Sequence, residues 1–227
     1  MFRITTVLAA GLSLMLPVTS PLLLGLTSAV GIGAEVLLTQ TAHAQSAEDW
    51  YNSGMVKAKS GNLKGAIADW TKAIEIYPQY AFAYYNRGLA RRKLGDLKGA
   101  ITDNTKAIDI LPDYAWAYYN RGNIKHDLKD YQGAIADYTE AIQINSKFSI
   151  AYGNRGFSKE KISDYKGAIV DYTMAIKINP QDAMAYSNRG LIKFNTYGDL
   201  KGACSDWKKA AKFGHTSAAK WVREDCE

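Results

Sequence analysis

Tyr84-Tyr85-Asn86-Arg87-Gly88 returns as Tyr118-Tyr119-Asn120-Arg121-Gly122, as Tyr152-Gly153-Asn154-Arg155-Gly156 and as Tyr186-Ser187-Asn188-Arg189-Gly190. Each copy follows the last by 34 residues, and Gly54 extends the series one step towards the N-terminus. A period of this size means stacked supersecondary units, each burying a face against its neighbour. The core is then a continuous seam, which the 47% apolar content of the 227 residues can supply.

Counting each unit from Ala47, Ala81, Ala115, Ser149 and Ala183, position 4 is always aromatic: Trp50, Tyr84, Tyr118, Tyr152, Tyr186. Position 20 is alanine in all five units and so is position 27, while position 24 is Trp70, Asn104, Tyr138, Tyr172 and Trp207. Positions 4, 7, 8 and 11 share one face of a helix, and positions 20, 24 and 27 share one face of another. The glycine at position 8 and the alanine at position 20 are small where those helices cross. An Asn or Asp at position 16 (Asn62, Asp96, Asp130, Asp164, Asp199) caps the second helix. Proline at position 32 (Pro78, Pro112, Pro180) stops it. A second glycine column, Gly65, Gly99, Gly133, Gly167 and Gly202, falls in the first turn of the second helix, where the pattern gives no reason for it.

This pattern resembles the tetratricopeptide repeat (TPR) family over five consecutive units. The resemblance implies an all-α, right-handed solenoid of helix-turn-helix units at 47–80, 81–114, 115–148, 149–182 and 183–217, with a capping helix over 218–227. It also implies a concave groove lined by positions 2, 5, 6, 9, 12 and 13 of the first helices, which in this family takes an extended or helical peptide. Carried over, the groove residues are Tyr51, Phe82, Tyr85, Asn86, Leu89, Trp116, Tyr119, Asn120, Asn123, Asn154 and Phe157. Position 2 continues as Ile150 and Met184, position 5 as Gly153 and Ser187, and position 12 brings Arg92, His126, Glu160 and Phe194. Exposed aromatic side chains on such a face resemble interface hot spots. The asparagines of position 6 are either donors to a peptide backbone or structural. The carboxylate clamp of TPR co-chaperones is not supported. Asn123 and Asn154 match its middle pair, but Tyr119, Met184 and Asn188 stand where it needs cations.

Position 7 is usually aliphatic in the family, yet here it is Arg87, Arg121, Arg155 and Arg189, with Ser53 in the first unit. Position 23 is always aspartate: Asp69, Asp103, Asp137, Asp171, Asp206. The missing first arginine suggests that each aspartate pairs with the next unit's arginine: Asp69–Arg87, Asp103–Arg121, Asp137–Arg155, Asp171–Arg189, and Asp206 with Arg223. The alternatives are pairing within a unit, or pairing with the bases of position 11 (Lys57, Arg91, Lys125, Lys159, Lys193).

Cys204 and Cys226 are the only cysteines and flank the Gly214-His215 turn at similar distances. An antiparallel pair of helices would bring them together as a disulfide, the alternative being two free thiols.

Ile4 to Ala34 carries no charge, follows Arg3 and leads to Ala42-His43-Ala44. A positive start, an apolar stretch and an Ala-x-Ala site describe a signal peptide over 1–44. An uncleaved membrane anchor is the alternative. Cleavage leaves a chain exported to a periplasm, a lumen or the exterior, with no membrane association of its own.

The net charge of +6 belongs to the repeats, because Arg3 and Glu35 cancel. His126 and His215 have no nucleophile or ligand set at recognisable spacing, and there is no phosphate loop or zinc spacing. The residues thus imply no enzyme, no cofactor and no metal site. They point to an exported scaffold binding a protein or peptide in an aromatic groove, assisting assembly of an envelope or membrane complex. Single-stranded nucleic-acid binding through position-11 bases and groove aromatics is a second reading, and an accessory subunit of a membrane-associated enzyme complex is a third. Export, and the place of position 11 on the packing face, argue against nucleic acid.

Overall fold

The computed structural model describes residues 45–226, so the expected signal segment lies outside the described residues. Among the described residues there are eleven helices and no strand. α1 (Ala47–Lys59) pairs with α2 (Leu63–Ile76), α3 (Ala81–Lys93) with α4 (Leu97–Ile110), and α5 (Ala115–Asp127) with α6 (Tyr131–Ile144). α7 (Ser149–Lys161) then pairs with α8 (Tyr165–Ile178), and α9 (Ala183–Tyr197) with α10 (Leu200–Lys212). Each pair packs on the next and α11 (Thr216–Asp225) covers the last, which makes an α-solenoid. No described helix is long and apolar enough to cross a membrane.

Within each unit the helices cross where the sequence is smallest. Ala66, Ala100, Ala134, Ala168 and Ala203 are fully buried. A Cβ added at Gly122 would stand 2.8 Å from the Tyr138 ring, and one at Gly190 would stand 2.6 Å from Trp207. The position-24 side chain therefore occupies the space that a larger position-8 residue would need.

The second glycine column has a reason that the sequence alone hides. The Asn62, Asp96, Asp130, Asp164 and Asp199 side chains each accept the backbone N–H three residues on, at 2.8–3.0 Å. That N–H belongs to the glycine, and a Cβ there would collide with the capping group itself. Removing such a cap costs about 1 kcal/mol.

The ion ladder runs differently from the inter-repeat expectation. Arg87 grips Asp103, Arg121 grips Asp137, Arg155 grips Asp171 and Arg189 grips Asp206, all inside one unit. Each arginine uses Nε and Nη2, as in Arg121 to Asp137 at 3.0 and 2.7 Å. The position-11 base joins the same carboxylate, as Lys125 does at 2.8 Å on the Oδ2 that also takes the arginine Nε. Asp206 is filled by Arg189 and Lys193 in this way, so it does not wait for Arg223.

The link to the preceding unit is a hydroxyl. Arg87, Arg121, Arg155 and Arg189 each donate through Nη1 to Thr71, Thr105, Thr139 and Thr173 of the unit before. The first unit has no threonine behind it, and there Ser53 and Lys57 satisfy Asp69 at 2.6 Å each. The threonine column ends where no arginine follows, at Lys208. The missing first arginine thus marks the absence of a preceding threonine, and the pairing is the within-unit alternative joined by the position-11 bases.

At the C-terminus, α11 lays Trp221 against Trp207, with ring centroids 5.3 Å apart. Cys204 and Cys226 are disulfide-bonded across this junction, with Cα atoms 5.7 Å apart. The one-residue insertion of the fifth unit lengthens α9, which closes at Gly198 in the left-handed region, φ 64°.

Candidate binding face

The first helices α1, α3, α5, α7 and α9 pack through positions 4, 8 and 11, so positions 2, 5, 6, 9 and 12 fall on the opposite side. Over the first three units this face carries a column of tilted, closely packed rings. Tyr51 lies 4.9 Å from Tyr80, Tyr85 lies 5.0 Å from Tyr114, and Tyr119 lies 5.2 Å from Phe148. In each case a position-5 ring rests on the ring that closes its unit, position 34. Phe82 and Trp116 stand outside this column, edge-on to Tyr114 and Phe148, and remain nearly half exposed. Burial pushes the Tyr85 hydroxyl up to about 12, as expected of a phenol held between other rings.

The asparagines mostly serve the fold. Asn86 donates to the Tyr51 hydroxyl at 2.9 Å. Asn120 is buried and donates to Asn104 at 3.0 Å, so it is withdrawn from the face on which the sequence reading set it. Asn154 donates to the Tyr119 hydroxyl at 3.1 Å and to Asn123 at 2.8 Å, while Asn123 also accepts from Tyr138 at 2.7 Å. The amides of Asn86 and Asn154 thus tie Tyr51 and Tyr119 to the next unit. Leu89 lies half-buried beside Met55, Trp70 and Asn86 in a hollow of about 260 Å³ between the first two units.

The face opens at the step from the fourth unit to the fifth. A hollow of about 340 Å³ is bounded by Tyr119, Asn154 and Phe157 on one side and by Tyr172, Met184 and Asn188 on the other. Its floor is Gly153, whose absent side chain would meet nothing within 4 Å. Its far wall includes Asp182, the position-34 residue, which stands where Tyr80, Tyr114 and Phe148 stand in earlier units. Both rings of the stacked pair are therefore missing at this step. Ile150 and Met184, about half exposed, form the rim.

Beside this hollow, His126 stacks on Phe157 at 5.1 Å and shares a 2.8 Å hydrogen bond with Ser158. Burial holds the imidazole below its ordinary value, so the ring is neutral near pH 7. The Arg92–Asp127 pair, at 2.7 Å, borders a smaller hollow of about 150 Å³ lined also by Asn123, His126 and Phe157.

The structure brings Tyr119, Asn154 and Phe157 of the sequence-predicted groove to one hollow. It leaves Tyr51, Phe82 and Tyr85 among the packed rings of the early units, and Asn86 and Leu89 in the separate hollow between the first two units. Of the groove residues expected from the sequence, Tyr119, Asn154 and Phe157 line the hollow at the step from the fourth unit to the fifth, together with Gly153, Asp182 and Asn188, which that expectation did not single out. The signal was a break in two columns: Tyr51, Tyr85 and Tyr119 give way to Gly153, and Tyr80, Tyr114 and Phe148 give way to Asp182.

Tetratricopeptide repeat models match residues 115–148 and, overlapping, residues 54–95 and 88–129. No curated protein matches the sequence. Among solved structures, MamA is 26% identical with a TM-score of 0.67, covering 73% of this chain and 96% of its own. A MamA from Desulfovibrio magneticus RS-1 is 18% identical with a TM-score of 0.69, covering 75% of this chain and 96% of its own. YrrB, a TPR protein with an unusual peptide-binding site, is 20% identical with a TM-score of 0.66, covering 79% of this chain and 93% of its own. The protein carries tetratricopeptide repeats, and its helical solenoid has the fold of these TPR structures.

Proposed function

We propose that this chain is an exported, non-enzymatic scaffold that holds a protein or peptide segment along the face of its first helices, in the service of an envelope or membrane assembly. The observation that carries the binding reading is the hollow at Gly153, walled by Tyr119, Phe157 and Tyr172 and rimmed by the exposed Ile150 and Met184. Concave, mostly apolar sites with a few convergent polar groups are where ligands bind, and exposed aromatic anchors dominate the energetics of recognition. TPR folds are generally interaction scaffolds, and YrrB is one with a peptide-binding site. Export rests on the Ala-x-Ala segment at 42–44. The disulfide agrees with an oxidising compartment.

The nucleic-acid reading is weaker. Its position-11 bases, Lys57, Arg91, Lys125, Lys159 and Lys193, are each spent on a buried aspartate. Phosphate contacts need cations free to release their counterions.

The test is affinity capture from the organism's own envelope fraction, comparing the natural protein with a Trp116→Ala/Phe157→Ala variant whose helicity and melting are checked first. Proteins retained by the natural form and lost by the variant support the reading. Identical retention by both would remove the face of the first helices as the binding surface. Recovery of the natural protein in the cytosolic fraction would remove export.

A further inference from the structure

We infer that the hollow at Gly153 receives a tyrosine side chain from a partner polypeptide, flanked there by a basic residue. This rests on the peptide-binding reading above and names the residue which that face recognises.

The repeat shows what this space holds when it is full. In the first and third units a tyrosine ring lies against the position-34 ring, and its hydroxyl accepts from the next unit's asparagine: Tyr51 from Asn86, Tyr119 from Asn154. At the fourth unit the tyrosine is Gly153, yet the asparagine is kept as Asn188, on the wall of the hollow. Asn154 serves two acceptors, the Tyr119 hydroxyl and the Asn123 carbonyl. The counterparts of both are gone for Asn188, because Gly153 replaces the tyrosine and Phe157 replaces Asn123. A guest phenol entering over Gly153 meets aromatic walls and the Asn188 amide, which already faces the Tyr172 hydroxyl and has lost the counterparts of both Asn154 acceptors.

Charge narrows the partner further. Asp182 uses one oxygen to cap α9 through the Ala185 N–H at 3.0 Å. Glu160 accepts from the hydroxyl of Tyr172, a wall residue, at 3.2 Å. Among the described residues neither carboxylate has an ion-pair partner, in a chain whose buried aspartates are all paired with bases. One carboxylate on the wall of the hollow, that of Asp182, with Glu160 behind the Tyr172 hydroxyl, is complementary to a Lys or Arg beside the tyrosine. The chain's own first 44 residues contain no tyrosine, so the guest is not that segment.

The experiment titrates the isotope-labelled protein with the blocked peptide acetyl-Ala-Arg-Tyr-Ala-amide and follows backbone amide shifts. The expected shifts centre on Gly153, Asp182 and Asn188. Replacing the peptide's tyrosine by alanine or leucine should weaken binding about tenfold. Gly153→Tyr, which restores the column, should abolish binding, and Gly153→Ala should retain it. Asp182→Asn keeps the helix cap and should remove the advantage of arginine over alanine in the peptide, about threefold.

Equal binding of the tyrosine and leucine peptides overturns the inference, as does undiminished binding to Gly153→Tyr or no binding at millimolar peptide. Self-association of the protein that vanishes in Tyr197→Ala would give the hollow to a second copy, and overturns it too. Envelope proteins captured equally by the natural form and Gly153→Tyr, but lost in Trp116→Ala/Phe157→Ala, would overturn the tyrosine site alone. Identical capture by the natural form and Trp116→Ala/Phe157→Ala would sink the broader reading instead.

Discussion

The first three units and the step between the fourth and fifth are built on one plan, and they differ in what covers the face of the first helices. In the early units Tyr51, Tyr85 and Tyr119 rest on Tyr80, Tyr114 and Phe148, and Asn86 and Asn154 lock two of those hydroxyls. At the later step both rings are absent while the surrounding helices keep their crossing, with Gly156 against Tyr172 as Gly122 is against Tyr138. The comparison separates two layers of the same repeat. The layer between the helices of a unit keeps its small crossing residues and its Arg–Asp pairs from the second unit to the fifth, and specifies the solenoid. The layer on the open face varies, and a lost ring there leaves a hollow without a change of fold.

The largest expected effect tests whether the inner layer is indifferent to that boundary. Asp137 and Asp171 are equivalent, 4% and 1% exposed, and each holds an arginine and a lysine. Asp137→Leu and Asp171→Leu should each cost about 3 kcal/mol in denaturant unfolding, because each strands two cations beside an apolar side chain. A loss at Asp171 far smaller than at Asp137 would mean that the difference between the regions reaches into the packing between helices. Next comes an attempt to carry the hollow one unit earlier. Tyr119→Ala removes a ring from Phe148 and an acceptor from Asn154. It should cost about 2 kcal/mol, less than a fully buried aromatic, and enlarge the hollow by a ring. Unchanged stability would show that the filled column is not a cohesive element.

Much of this was legible in the sequence, and the reason is repetition. Gly88, Gly122, Gly156 and Gly190 recur because each faces the position-24 side chain of its own unit at close range, so the period reports the packing directly. What stayed hidden depended on partners that a linear pattern does not order. Arg121 sits between Asp103 and Asp137 in the chain, and spacing favours neither; the geometry of the unit gives it Asp137 through two nitrogens and Thr105 through the third. Asn120 and Asn154 occupy the same register, yet one faces Asn104 inside and the other faces Tyr119 outside. That choice follows from position 24, where Asn104 replaces an aromatic ring and leaves room for Asn120 to turn inward.

The open step can also be closed. Gly153 lies inside α7, and a Cβ there meets nothing within 4 Å, so the first atom of a side chain is admitted beside the hollow. Gly153→Tyr should stabilise the protein by about 1 kcal/mol, from relief of a mid-helix glycine and from the ring's contacts with its walls. A rise in melting temperature together with loss of partner binding would place the difference between the regions on the face alone. A fall in stability would show that the carboxylate of Asp182 opposes a ring that Tyr80 and Phe148 welcome.

The smallest effect lies in the turns, which also divide the units. The first two units turn through Gly61 and Gly95 at φ 82° and 85°, whereas the third and fourth turn through Lys129 and Ser163, both at φ 64°. A residue with a Cβ in the left-handed region is strained by about 1 kcal/mol. Glycine relieves that strain but adds freedom to the unfolded chain, which offsets part of the gain. Ser163→Gly and Lys129→Gly should therefore each stabilise by less than about 1 kcal/mol, read as a small shift of the unfolding midpoint at unchanged slope. The reverse change, Gly95→Ser, should destabilise by a similar amount. If all three hold, the third and fourth units carry a local backbone cost that the first and second, turning through Gly61 and Gly95, and the fifth, turning through Gly198, avoid.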